Sequence, residues 1–110
     1  MIGAYKSWLV QVNNCTLLGS GSTNGVKGVS ASYGSRIICE NCSINGFENT
    51  VLASRLGEVL VSGGSFGNNG TGAQVWKGGI IILSTGDVTL GGSTNAKNGG
   101  MIVKADGTLL

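Results

Sequence analysis

The feature that most restricts what this chain can become is a short sentence that it writes four times. Residues 8–19, WLVQVNNCTLLG, and residues 35–47, SRIICENCSINGF, share an Asn-Cys pair followed by a small hydroxyl residue and a large aliphatic one. Gly63-Gly64-Ser65-Phe66 holds the same places in EVLVSGGSFGNN, and Thr85-Gly86-Asp87-Val88 holds them in IIILSTGDVTLGG. The anchors Asn14, Asn41, Gly63 and Thr85 follow one another at steps of 27, 22 and 22 residues. A period of this length means stacked units, each covering the apolar face of its neighbour.

Within each copy, apolar residues alternate. One series is Val10 and Val12, Ile37 and Cys39, Val59 and Val61, Ile81 and Leu83. A second runs Ile2 and Ala4, Val29 and Ala31, Val51 and Ala53, Ala73 and Val75, then Met101 and Val103. Period-2 alternation in short runs, punctuated by YGS, RLG, KGG and ADG, marks strands with one buried face. With the anchor strand, each coil has three strands and three corners. The fold class expected is all-β: a right-handed parallel β-helix of about four to five coils, roughly 22 residues per coil, in which each strand pairs with its equivalent one rung away. The competing architecture is an antiparallel sandwich, for which Asn-Gly at Asn24, Asn45, Asn69 and Asn98 would supply hairpin turns. A sandwich gives no reason for one inward pattern to return every 22 residues. Stacking also accounts for Asn14 and Asn41, since Asn tolerates the left-handed geometry of a corner.

Composition agrees with thin β-layers. The chain holds 21 Gly, no Pro, no His and only 5 acidic residues, with 41% hydrophobic but 5% aromatic residues. A net charge of +2 without a basic-aromatic patch argues against nucleic acid as a partner. No apolar run reaches the ~18 residues of a membrane helix, so no membrane partner is expected either. The opening MIGAYKSW does not read as a secretion signal.

The phrases VQVNNCTLLGSGSTNGV, IICENCSINGFENTV and VLVSGGSFGNNGTGA resemble the pectate-lyase-like superfamily of β-helices, across nearly the whole chain. Short coils and abundant Gly and Ser are most similar to phage tailspikes and tail fibres. The resemblance implies a homotrimer on the virion (the phage tail), joined to other parts of a tailspike and binding bacterial surface polysaccharide. It implies that residues 1–110 are one β-helix domain, the C-terminal part of a longer tailspike-like chain. Two alternatives stand beside it. One is a polysaccharide depolymerase, hydrolase or lyase, with a site shared between subunits. The other is a segment of a bacterial adhesin at the cell surface, suggested by STGDVTLGGSTNAKNGGMIVKADGTLL.

The residues themselves offer little catalysis. Glycoside hydrolysis generally needs two carboxylates facing one sugar, and the acidic inventory is Glu40, Glu48, Glu58, Asp87 and Asp106. Glu58 falls one rung from Arg36 as a stacked ion pair, Asp87 takes the corner place of Ser65, and Asp106-Gly107 reads as a turn. Glu40 and Glu48 remain as the catalytic candidates, on different edges of one coil. Cys39-Glu40-Asn41-Cys42 has CxxC spacing, but zinc needs four ligands and only Cys15 is left. Redox CxxC motifs begin helices, so these read as buried structural thiols. No metal and no cofactor is expected. Asn14, Asn41 and Asn69 fit the N-glycosylation pattern by chance.

The outward positions are more informative. Ile38, Leu60 and Ile82 follow Gln11 in one column facing away from the coil, with Leu9 and Ile80 flanking and Leu52 and Ile102 outward on another strand. A continuous aliphatic stripe marks an interface, so Ile38, Leu60 and Ile82 are assigned to the subunit contact. Lys6, Arg55 and Lys77 share another column with Tyr33 among them. Trp76 follows inward Val75 and Tyr5 occupies the equivalent place on the first coil. Tyr5, Arg55, Trp76 and Lys77 are therefore the glycan-binding candidates, Trp76 having the alternative of packing against a neighbouring subunit. Two longer loops, GSGSTNG and GGSTNAKNGG, are expected at one corner, and neither end shows a cap.

Overall fold

The structure, a computed structural model, describes residues 2–19, 27–47, 49–67 and 71–110. Among the described residues the regular elements are all strands: β1 (Ile2–Tyr5), β2 (Leu9–Asn13), β3 (Thr16–Leu18), β4 (Lys27–Ser32), β5 (Arg36–Asn45), β6 (Asn49–Ser54), β7 (Glu58–Phe66), β8 (Thr71–Trp76), β9 (Ile80–Leu83), β10 (Thr89–Leu90), β11 (Ser93–Ala96) and β12 (Met101–Val103). They form two sheets, ordered β1-β4-β6-β8-β11 and β12-β9-β7-β5-β2, with β3 beside β5 and β10 beside β7. Every ladder in both sheets is parallel. The chain is a parallel β-solenoid with a period of 22 residues through its middle, as Val29 pairs Val51 and Val51 pairs Ala73.

Side-chain alternation explains why this sequence closes into a tube. Val10, Ile37, Val59, Ile81 and Ile102 stack inward, each pairing the next. Val12, Cys39, Val61 and Leu83 form a second inward column. Leu17, Ile44, Phe66 and Leu90 form a third, on the strands beyond the Asn-Cys corner. Opposite them stand Ala4, Ala31, Ala53 and Val75. Small residues on one wall face mostly larger ones on the other, which suits a narrow interior. Ile37, Ile44, Val59, Phe66 and Ile81 are fully buried, and each such side chain stabilises by about 1.5–3 kcal/mol.

The corner after the first sheet is built from pairs of consecutive left-handed residues. Lys6-Ser7, Tyr33-Gly34, Arg55-Leu56, Lys77-Gly78 and Asn98-Gly99 all have positive φ, from 47° to 81°. Glycine takes the second place three times, while Ser7 and Leu56 hold the same geometry with a side chain, a conformation that costs L-residues about 1–2 kcal/mol. The turns stack by backbone bonds: Ser7 donates to Tyr33 O, Leu56 to Lys77 O and Gly78 to Asn98 O, each at 3.3 Å.

The last coil departs from the sequence reading in four ways. Thr89 pairs Ser65 and Leu90 pairs Phe66, so Asp87 does not take the corner place of Ser65. The fourth corner carries two extra residues, held on one side by Gly63 N–H donating to Thr85 Oγ1 at 2.8 Å. GGSTNAKNGG is no long loop, because it contains β11, with Thr94 pairing Ala73 and Ala96 pairing Val75. β11 occupies the first-sheet position, which moves Met101–Val103 into the second sheet and inverts its parity. Ile102 then points inward and is buried, while Met101 is 40% exposed. Finally, residues 104–110 close an end at which the sequence shows no cap. They turn back so that Leu109 bridges Val103 antiparallel and Leu110 N–H donates to Ile102 O at 2.9 Å. Asp106 closes that turn by accepting from Thr108 N–H (3.0 Å) and Thr108 Oγ1–H (2.6 Å), which hold its carboxyl below the usual range. The reversal covers part of a strand edge that would otherwise invite pairing. Leu52 lies between the core residues Val51 and Ala53 on its strand yet is buried rather than exposed. The first loop, GSGSTNG, lies almost wholly outside the described residues.

Candidate functional site

Three outer surfaces carry side chains able to bind something. The first is the left-handed corner with the strand ends that feed it. Tyr5, Ser32, Ser54 and Trp76 pair in succession, so the two aromatics belong to one column with serines between them. Beside it runs the corner column Lys6, Tyr33, Arg55, Lys77 and Asn98, whose φ values between 47° and 55° make them equivalent. Parallel in-register stacking puts one of these side chains at every rung, about 4.8 Å apart.

Three cations in this region rest on rings. Lys6 Nζ lies 5.3 Å from the Tyr5 ring centroid, Arg55 Cζ 5.2 Å from that of Tyr33, and Lys97 Nζ 5.3 Å from that of Trp76. The Tyr5 and Tyr33 rings meet edge to face at 4.8 Å. A cation over an aromatic face is held by the ring quadrupole and keeps its full charge. Among the described residues the acids are elsewhere: Glu40 and Glu58 on the second sheet, Asp87 at the fourth Asn-Cys corner, Asp106 in the final turn. Tyr5 and Tyr33 are 44% and 45% exposed. Trp76 is half-buried, and its Nε1 is enclosed with no hydrogen-bond partner among the described residues. Of the glycan-binding candidates, Tyr5, Arg55, Trp76 and Lys77 thus line one edge, although Tyr5 and Trp76 stand three rungs apart.

Lys97 was not legible as a member of this group while its segment read as a loop. The signal was available, since Asn98-Gly99-Gly100 repeats Lys77-Gly78-Gly79 and fixes Lys97 just before a corner.

The second surface is the outer face of the second sheet. Gln11, Ile38, Leu60, Ile82 and Val103 pair in succession along it, and the four aliphatics are half-buried. Leu9, Arg36, Glu58, Ile80 and Met101 form the flanking column. Arg36 and Glu58 make the stacked ion pair expected of them, with Nε–Oε1 at 3.1 Å and Nη2–Oε2 at 3.2 Å. With Arg36 54% exposed, that pair contributes no more than about 1 kcal/mol. Glu40 accepts from Gln11 Nε2 at 3.1 Å. Glu48 lies outside the described residues.

The third surface is the Asn-Cys corner, a groove of about 360 Å³ lined by Asn14, Asn41, Thr16, Ser43, Ser65 and the Cys42 rung. Asn14 and Asn41 both have φ 53°, the left-handed geometry their side chains tolerate. The three cysteines are free thiols. Burial, then the neighbouring Cys42 and Cys15, push the Cys39 thiol up to about 12, the reverse of what a nucleophile or metal ligand needs. Among the described residues no group of three His, Cys, Asp or Glu side chains is arranged to hold a metal ion. At the end of the solenoid, Leu83, Val88, Leu90 and Leu110 line a further cavity of about 470 Å³.

No protein-family model, curated protein or solved structure matches this chain.

Proposed function

We propose that the chain is the structural, receptor-facing β-solenoid module of a phage tailspike or tail fibre, working on the virion as a homotrimer that binds bacterial surface polysaccharide. The observation that carries this reading is the segregation of chemistry on the outside of one rigid scaffold. The second sheet presents the aliphatic stripe Ile38, Leu60, Ile82, Val103 in register, while the corner of the first presents exposed tyrosines and cations. An in-register apolar stripe suits packing against identical copies around a symmetry axis. Aromatic faces stack on the C–H surfaces of sugars while adjacent polar groups take the hydroxyls. The likeness of VQVNNCTLLGSGSTNGV and IICENCSINGFENTV to tailspike-type β-helices supports the same placement.

Sedimentation of the wild type and of Leu60→Lys tests the assembly. The wild type should sediment as a trimer, and the variant as a folded monomer with unchanged far-ultraviolet dichroism. A wild-type chain that is monomeric at micromolar concentration overturns the reading.

A further inference from the structure

Resting on the reading of the left-handed corner as a glycan-binding face, we infer that its ligand is a linear anionic polysaccharide, laid along the solenoid axis with its charged groups at rung intervals. Lys6, Arg55, Lys77 and Lys97 gather on this edge, although the whole chain has only 7 cationic residues. Among the described residues none of these four cations forms an ion pair, the carboxylate nearest in sequence, Glu58, being engaged by Arg36. The ladder also repeats like charges where repetition is unfavourable. Arg55 and Lys77 occupy equivalent left-handed positions on consecutive rungs, and stacked like charges destabilise a sheet. An anion bridging the rungs removes that repulsion.

The spacing selects the shape of the ligand. The corner column places Lys6 on the first rung, Tyr33 on the second, Arg55 on the third and Lys77 on the fourth. Cations therefore recur at one-rung and two-rung intervals of about 4.8 Å each, comparable to one and two sugar units of an extended chain. Tyr33, 45% exposed and capped by Arg55, offers a ring where the cation is missing. A compact anion would meet one or two of these groups, whereas an extended one meets them all. The rings hold Lys6, Arg55 and Lys97 in place beforehand, which reduces the ordering cost of binding.

The experiment uses the oligomeric wild-type protein against immobilised bacterial capsular polysaccharides, each acidic member paired with its carboxyl-reduced form, alongside dextran, dextran sulfate and a single-stranded oligonucleotide. Acidic members should bind at least tenfold more tightly than their reduced forms, with affinity falling as salt rises. The double variant Arg55→Gln, Lys77→Gln should lose that preference, while Lys104→Gln, in the final turn, should keep it. Loss of affinity on carboxyl reduction assigns carboxylates, and binding to dextran sulfate but not dextran assigns sulfates. Either supports the inference. Equal binding of acidic and reduced forms overturns it and leaves the glycan-binding reading standing. Binding to no polysaccharide overturns both. An oligonucleotide bound as tightly as the best polysaccharide overturns the assignment of the ligand as a glycan.

Discussion

Gly64 and Gly86 look interchangeable in the sequence, each being the second residue of a corner, yet the structure separates them by several kcal/mol. At Gly64 the backbone has φ 97°, and an added Cβ would fall within the van der Waals surface of the Cys42 carbonyl oxygen one rung away. That oxygen belongs to a ladder and cannot retreat without loosening its neighbours. Left-handed strain costs about 1–3 kcal/mol, and overpacking against fixed backbone costs about another 1–3 kcal/mol. Gly64→Ala should therefore lose roughly 2–6 kcal/mol, a large part of the ~5–15 kcal/mol that holds a domain folded. Gly86 has nothing within 4 Å of an added Cβ, because the fourth corner is two residues longer and bows away from the ladder. Gly86→Ala should be neutral, or stabilising by up to about 1 kcal/mol through the unfolded chain. Thermal and denaturant unfolding of the two variants beside wild type measures the contrast. Gly64→Ala should lower Tm by more than about 8 °C, on a scale of some 4–8 °C per kcal/mol. Equal losses, or a larger loss at Gly86, would refute the register that pairs Thr89 with Ser65.

Two further tests address other parts of the coil. Leu56→Gly relieves a left-handed leucine whose side chain is 72% exposed, and should raise stability by about 0.5–1 kcal/mol despite the freer unfolded chain; a loss in denaturant titration contradicts the stacked-corner account. Cys39 bears on pH. Below pH 9.0, its ordinary value, both states keep the proton; between there and about 12 only the unfolded chain releases it, so stability falls by up to about 1.4 kcal/mol per pH unit. The gap between wild type and Cys39→Val should widen in the variant's favour on moving from about pH 8 to about pH 10.5, and parallel curves would refute the assignment.

The middle of the fold was readable because its columns are written in branched aliphatics. Val29, Val51 and Ala73, or Ile37, Val59 and Ile81, return with a fixed step and leave one register possible. The last coil was not readable, for a physical reason. β11 closes the stack, all its residues are exposed, and no inward apolar pair was needed to mark Ser-Thr-Asn-Ala as a strand. The nearest aliphatics, Met101 and Val103, then attracted the register and turned Ile102 the wrong way. Asp87 was misplaced similarly, since a corner lengthened by two residues offers Val88 where Leu90 is the true counterpart of Phe66. The candidate edge followed from counting back to Lys6, Arg55 and Lys77. What counting could not convey was that each ring holds a cation, because that depends on side-chain directions set by consecutive left-handed residues.

The enlarged fourth corner has a use beyond its own geometry. Its two flanks are pinned separately, by the Gly63 amide on Thr85 and by the pairing of Thr89 with Ser65, so the span between them is decoupled from the register of the ladder. Extra sequence inserted at Gly86 would project outward without shifting any strand above or below it. This makes the corner a grafting position, where an epitope or a second recognition loop can be displayed at a set height on a rigid scaffold.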